Sequence, residues 1–297
     1  EVGFADDRPP PDVLGEGGFG LSGILELPIM PIVLGEKSTL WLRLTAEGDP
    51  GHGSLPPQRQ AIVNLGRALR EVQGHGAARV HPVMREQFRI LAEAASGART
   101  AVFAALASGA GTVAARALSK PLRASGAIAH LLADTVTPTS LTGGQKHNVV
   151  PATATASLDC RLLPDTDVGS FVGQMQRTLR RYGVTVEAVS SSSSPVTERG
   201  ALFSHLEAVS QELPSRPVTV PSLTPGMTDV RYFRALGARG YGWVPLILDT
   251  ELLGTIHGHD ERMPVDGFLE GVEAMAELVR RAAGEHWLGS ARPGLRN

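Results

Sequence analysis

From Ser38 to Ala46 the chain sets Leu40, Leu42 and Leu44 against Trp41, Arg43 and Thr45, the two-residue period of a half-buried strand. A second alternation puts Ala154, Ala156, Leu158, Cys160 and Leu162 on one face, with Thr153, Thr155, Ser157, Asp159 and Arg161 on the other. Two stretches change to the helical period. Gln58–Val72 aligns Ile62, Leu65, Leu69 and Val72 and ends at Gly74, and Thr166–Tyr182 aligns Phe171, Val172, Met175 and Leu179 and ends at Gly183. Residues 87–133 read as helical and alanine-rich, and the uncharged run Thr100–Ala115 reads as a buried or partner-facing helix. Thr135–Leu141 and Val184–Val189 read as extended. Together these elements predict a compact α+β module.

On either side of the module the pattern changes to strands alternating with helices. Ala201–Leu213 is predicted helical, Val218–Leu223 extended, a helix runs to Leu236, and Tyr241–Pro245 follows. A last helix starts near Asp266 and is expected to turn Phe268, Val272, Met275 and Val279 toward a core. This alternation favours an α/β domain, to which residues 1 to about 35 contribute a strand. The polar run Ser190–Ser194 marks a hinge, so the expected boundaries are 1–36, 37–189 and 190–297. Gly15, Gly17 and Gly20 satisfy the dinucleotide spacing G-x-G-x-x-G, but Pro28 and Pro31 stop the helix that this fingerprint needs. The match is read as accidental.

At 297 residues and 42% hydrophobic, the chain can bury two modest cores. A net charge of −2 offers no basic field for nucleic acid, and no apolar run reaches the ~20 residues of a membrane span. The single Cys160 rules out an intrachain disulfide and a cysteine-rich zinc site, which suits a reducing compartment, and the expected location is cytoplasmic. The sequence opens on Glu1 rather than methionine and shows no signal segment, so its beginning is read as processed or missing.

Candidate chemistry is sparse. Glu16, flanked by glycines, reads either as a turn carboxylate or as a metal ligand near a strand end. His52, in the turn Gly51-His52-Gly53-Ser54, is either solvent-facing or a hydrogen-bond donor to a ligand. Arg161 stands beside Asp159, as a surface ion pair or as a fork for a substrate carboxylate. The stretch Thr255-Ile256-His257-Gly258-His259-Asp260-Glu261-Arg262 is either a polar loop or a metal-ligating imidazole whose neighbouring acids orient the ring.

Four pieces in order resemble the zinc-dependent metallo-exopeptidase and amidohydrolase family of carboxypeptidase S, aminoacylase, succinyl-diaminopimelate desuccinylase and carnosinase. They are Gly51-His52-Gly53-Ser54 with Pro56, Asn148-Val149-Val150-Pro151 through Asp159-Cys160-Arg161-Leu162-Leu163-Pro164, Gly226-Met227-Thr228-Asp229, and His257-Gly258-His259-Asp260-Glu261. Leu14-Gly15-Glu16-Gly17-Gly18 and Tyr232–Gly237 look most like the carboxypeptidase S branch. The resemblance implies a partial α/β catalytic domain of zinc-exopeptidase type, interrupted by an α+β lid that forms a homodimer. It implies two zinc ions, with Glu16 and His257 matching two of the metal ligands. His52 matches the lid histidine that stabilises the oxyanion in the partner's site, and Asn148, Arg161 and Thr228 match substrate-holding positions. The implied substrates are peptides or N-acyl amino acids with a free carboxylate.

The departures from that pattern are large. Residues 1–40 hold no histidine, and no Glu-Glu pair occurs anywhere, so the His-x-Asp ligand motif and the general base are missing. The expectation is therefore a chain that is hydrolytically inactive alone. The alternative expectation is a non-catalytic dimerisation or ligand-binding remnant.

Overall fold

The computed structural model describes residues 11–72, 76, 78–118, 127–193 and 195–284. In chain order the strands are β1 (Asp12–Leu21), β2 (Ile29–Glu36), β3 (Ser38–Glu47), β4 (Gly51–His52), β5 (Thr135–Gly143), β6 (Val149–Val150), β7 (Thr153–Leu162), β8 (Val184–Ser192), β9 (Val218–Thr224) and β10 (Arg239–Leu248). The helices are α1 (Ala61–Val72), α2 (Pro82–Ala94), α3 (Ala98–Ala107), α4 (Gly111–Ala117), α5 (Ala127–His130), α6 (Val168–Leu179), α7 (Ala201–Glu212), α8 (Val230–Ala235), α9 (Thr250–Leu253) and α10 (Val265–Ala283). The chain divides into two compact units. The first takes Glu1–Glu36, Pro82–Gly111 and Ser194–Asn297, and the second takes Lys37–His81 and Thr112–Ser193.

The second unit is built on an antiparallel sheet in the order β5-β7-β3-β8. Its register pairs the two alternating runs directly: Leu40 opposes Cys160, Leu42 opposes Leu158 and Leu44 opposes Ala156. These residues form one apolar face, and α1 and α6 cover it with Leu65, Val72, Phe171, Met175 and Leu179. Burying each of the larger side chains stabilises the unit by about 1.5–3 kcal/mol before entropy is counted. The inward stripe of α1 is Ala61, Leu65, Ala68 and Val72, and Ile62 is exposed. The two alanines let the helix lie close to the sheet, so the small residues face inward and the predicted branched one does not. The helical run expected over 87–133 is divided among shorter helices. Gly97, at φ 63°, separates α2 from α3, and α3 ends at Ser108 before α4 begins.

The first unit carries the sheet β1-β10-β2-β9, in which β1 runs parallel to β10 and β2 runs parallel to β9. Both early strands therefore enter the sheet of the C-terminal segment, as the alternation predicts. Met30, Ile32 and Leu34 of β2 and Tyr241 and Trp243 of β10 share one face. Above them lie Leu202, Phe203, Leu206 and Val209 of α7 and Ala274 and Leu278 of α10. Buried polar atoms on this face are satisfied: Trp243 Nε1 donates to Ser210 Oγ at 2.9 Å, and Tyr241 Oη donates to the Glu198 carbonyl at 2.8 Å.

One expectation for this unit agrees with the structure and one needs correction. No helix follows the glycine fingerprint, because β1 continues to Leu21, and the glycines serve strand packing instead. The core-facing residues of α10 are Ala274 and Leu278, with Met275 packed against the core as expected, whereas Phe268, Val272 and Val279 are exposed. Gly271 and Gly267 explain the difference. A Cβ on Gly271 would stand 2.7 Å from the Pro245 carbonyl oxygen, so the glycine side of the helix fits tightly on β10 and the bulky side faces out. No helix among the described residues is long and apolar enough to cross a membrane.

Candidate functional site

The six candidate residues divide evenly between the units. Glu16, Thr228 and His257 lie in the first, and His52, Asn148 and Arg161 in the second.

In the second unit the short β4–β6 ladder pairs Gly51 with Val150 and His52 with Val149, and the Gly53 N–H donates to the Asn148 carbonyl at 2.8 Å. That ladder brings two candidates together: His52 Nε2 lies 3.4 Å from the side-chain amide of Asn148. The other ring nitrogen faces Ser54, whose N–H donates to Nδ1 at 3.3 Å and whose Oγ lies 2.7 Å from it. With Nδ1 accepting, the neutral ring carries its proton on Nε2. Asn148 presents its amide nitrogen Nδ2 to Nε2, so an Nε2–H donor finds an acceptor there only when the amide is turned over. Both side chains are exposed. A groove of ≈540 Å³ opens beside the ladder, lined by Thr142, Gln145, Lys146, Val149, Thr153 and Thr155.

Arg161 is tied to its neighbour. Its Nε and Nη2 donate to the two oxygens of Asp159 at 2.9 and 3.0 Å, which engages one edge of the guanidinium fork. Close by, Lys37 is 1% exposed and donates to the carbonyls of His130 and Ala133 and to Thr135 Oγ1 at 2.8–3.1 Å. Burial lowers the Lys37 pKa to about 8, and the Arg161 charge acts in the same direction against Asp134 and Asp159. Burial, with Asp159 and Asp134, pushes the Cys160 thiol up to about 12.

In the first unit Glu16 sits within β1, just past the Gly15–Gly242 pairing and inside the irregular stretch that precedes Phe19. It is not at the strand end, and its side chain is exposed. His257 follows α9 in the left-handed region at φ 61°. Its N–H donates to Glu261 Oε2 at 3.3 Å, while Asp260 and Glu251 hold Arg262 at 2.7 and 2.8 Å. The acids of this loop thus engage the backbone and Arg262 rather than orienting the imidazole.

Thr228 belongs to a cluster that charge patterning does not reveal. Its N–H donates to Glu36 Oε2 at 2.6 Å, and its carbonyl accepts from Arg231 Nη1 at 3.3 Å. Glu36 is fully buried and lies 4.0 Å from the guanidinium of Arg234, which donates through Nε to the Gly240 carbonyl at 2.9 Å. Burial lowers the Arg234 pKa against the Glu36 charge. The only signal for these residues in the sequence is that Glu36 and Lys37 end one apolar run and begin another.

Among the described residues no group of three or more His, Cys, Asp or Glu side chains is placed to hold a metal. Zinc takes three or four protein ligands. Glu16 and His257 do not make such a site by themselves, so the residues present do not fit a resident zinc ion.

Residues 34–187 match the peptidase dimerisation domain family. Mouse aminoacylase-1 is 30% identical over 272 residues, covering 90% of this chain and 56% of the relative. The N-fatty-acyl-amino acid synthase/hydrolase PM20D1 of Xenopus tropicalis is 27% identical over 278 residues, covering 91% and 53%. Among solved structures, the M20 family metallo-carboxypeptidase of Sulfolobus solfataricus superposes with a TM-score of 0.58 at 15% identity, covering 90% of this chain and 62% of that one. The chain spans about half the length of the curated relatives it matches. With the dimerisation-domain match extending over more than half of its residues, the chain belongs to the M20 family of metallo-exopeptidases and aminoacylases.

Proposed function

We propose that this chain is part of a metallo-hydrolase that cleaves the amide bond of peptides or N-acyl amino acids next to a free carboxylate. In this reading residues 1–36 and 190–297 belong to the catalytic domain, and 37–189, apart from Pro82–Gly111, which cluster with the first unit, form the lid through which two copies pair. The supporting observation is the His52–Asn148 contact, which gives the dimerisation-domain segment an exposed ring with an Nε2–H donor beside an amide. Such a donor, held in place by Ser54 and Asn148, suits a developing oxyanion in the partner's site. Thr228, fixed by Glu36, and Arg161, whose remaining N–H groups are directed away from Asp159, suit the binding of substrate carboxylate and carbonyl groups. Glu16 and His257 are the positions from which this chain would contribute ligands to a zinc site completed by other residues.

It follows that the chain alone does not turn over substrate. The test is an assay of the purified chain on N-acyl amino acids and dipeptides with added zinc. Turnover that a chelator abolishes would refute the inactivity, and light scattering reads the pairing independently. A second reading, a non-catalytic dimerisation or ligand-binding protein, is favoured by the engagement of Arg161 with Asp159 and by the absence of a three-ligand cluster among the described residues. A zinc titration separates the two: weak binding that Glu16→Ala or His257→Ala abolishes supports the hydrolase.

A further inference from the structure

The sheet of the second unit has two unlike faces. α1 and α6 cover one of them, and the other carries Thr39, Trp41 and Arg43 of β3 beside Ser157, Asp159 and Arg161 of β7. Trp41 is the only aromatic residue in the four strands, and it stands 50% exposed on this polar face. Neither a hydrogen bond nor a ring or cation–π contact engages its indole among the described residues. A lone exposed tryptophan on a sheet is ordinary, because aromatic side chains favour strands. Its neighbours are what distinguish this one.

β8 pairs Ala188 with Leu42 and Ser190 with Trp41, so Val189 is an extra residue opposite Trp41. Such a bulge turns the local backbone and re-aims side chains. Val189 is also 50% exposed, so the bulge sets a second apolar side chain in solvent opposite the tryptophan. On the other side of β3, Trp41 opposes Asp159 and Thr39 opposes Arg161. Trp41 and Arg161 are therefore diagonal neighbours on one face, with backbones ~7–8 Å apart. Asp159 engages Nε and Nη2 of Arg161, and Nη1 is left open. An apolar step and an open guanidinium edge thus lie within the span of one small molecule.

We infer that Trp41 and Val189 form a subsite for the apolar acyl chain of an N-acyl amino acid whose carboxylate Arg161 holds. The subsite presupposes the role of Arg161 proposed above and adds a preference within that substrate class, for long acyl chains over short ones. The amino acid's own side chain leaves the carbon that bears the carboxylate and stays near Arg161. The acyl chain starts beyond the amide, far enough along to lie on the diagonal neighbour. There the flat indole removes one side of the chain from water, which the hydroxyls of Thr39 and Ser190 beside it cannot do. Trp41 thus selects the acyl group, and Arg161 holds the carboxylate.

The test is ligand binding to the full chain, read by NMR and independent of turnover. The probes are N-octanoylglycine, N-acetylglycine and the neutral N-octanoylglycine amide. In a chain labelled at its three tryptophans, Trp41→Phe identifies the Trp41 indole N–H signal. Expected is a saturable shift of that signal with N-octanoylglycine, which binds about tenfold or more tightly than N-acetylglycine. Trp41→Ala removes this preference and Trp41→Phe keeps most of it, both with the affinity for N-acetylglycine unchanged, and Arg161→Met weakens both acids. Trp41 is half exposed, so its variants keep the fold. Equal affinities for the two acids with a motionless Trp41 signal overturn the subsite and leave the Arg161 role intact. Acids that bind Arg161→Met as tightly as the parent chain overturn that role and the subsite with it. Binding of the neutral amide as tight as that of N-octanoylglycine reduces the contact to a bare apolar patch and also overturns the inference. Absence of binding by both acids has the same result.

Discussion

The backbone N–H of Thr228 donates to the carboxylate of Glu36 at 2.6 Å, joining positions 192 residues apart. Glu36 is the last residue of β2 and Thr228 stands in the turn before α8, so a buried acid anchors the turn that carries a substrate-position candidate. Lys37, the next residue, is buried in the second unit and holds the segment His130–Thr135 through three donors. Two adjacent buried charges of opposite sign therefore each organise a different unit.

Glu36 is the principal compensation for Arg234, whose Nη1 and Nη2 have no hydrogen-bond partner among the described residues. Removing it with Glu36→Leu leaves a buried cation and frees the Thr228 turn, with an expected loss of about 3–5 kcal/mol. Adding Arg234→Met removes the uncompensated charge and is expected to recover much of that loss, because replacing both members of a buried pair by apolar groups is often near neutral. Thermal or urea unfolding of the three forms checks this. A double variant no more stable than the single one would show that the pair is not the cause.

Lys37 gives a pH dependence with a definite sign. Its pKa falls from the ordinary 10.5 to about 8 in the folded chain because burial disfavours the ammonium. Between those values the unfolded chain binds the proton and the folded chain does not, so stability rises as pH increases from about 8 to 10.5. The contribution is present above 10.5 and is lost as pH falls through about 8, with an upper size of about 3 kcal/mol. Lys37→Met removes this dependence. The difference in urea midpoint between the two forms, measured across that window, should change steadily, and a constant difference would reject the assignment.

The sheet of the second unit is legible because its register follows from the pattern alone: once Leu40, Leu42 and Leu44 must share a buried face, a ladder to Cys160, Leu158 and Ala156 satisfies both strands. His52 and Asn148 were found separately, by motif, and their contact required the β4–β6 pairing. Glu36, Lys37 and Arg234 were not legible as buried. Charged residues are read as exposed by default, and their compensation comes from partners about 100 to 200 residues away that pattern does not identify. For α10 the periodicity was real but assigned to the wrong neighbour. A stripe of large apolar residues predicts burial, and two glycines on the other side decide which face the sheet takes.

Gly18 shows a packing reason for glycine in β1. Its φ is 78°, and a Cβ there would stand 2.7 Å from the carbonyl oxygens of both Gly242 and Pro31, so three backbones meet where no side chain fits. Gly23 has a similar φ of 83° but open space around it. Gly23→Ala therefore carries backbone strain alone, about 1–2 kcal/mol, whereas Gly18→Ala adds displacement of two strands and should lower stability by more than about 3 kcal/mol. Chemical denaturation of the two variants compares them directly, and equal losses would contradict the close approach.

His52 supplies a prediction that is independent of activity. Its Nδ1 faces the N–H and Oγ of Ser54, and its Nε2 faces Nδ2 of Asn148, so the neutral ring should be the Nε2-protonated tautomer, with the amide turned over to offer its oxygen to that proton. Nitrogen NMR of a histidine-labelled sample distinguishes the two ring nitrogens, and a protonated Nδ1 in the neutral ring would reverse the assignment. Asn148→Ala removes the partner of Nε2, while the β4–β6 backbone pairing, which does not depend on that side chain, keeps the turn in place. Both residues are exposed, so folding stability should stay within about 0.5 kcal/mol. Ring order at His52 should fall at the same time. A large loss of stability would mean that the contact serves the fold, and unchanged ring order would mean that Ser54 alone holds the imidazole.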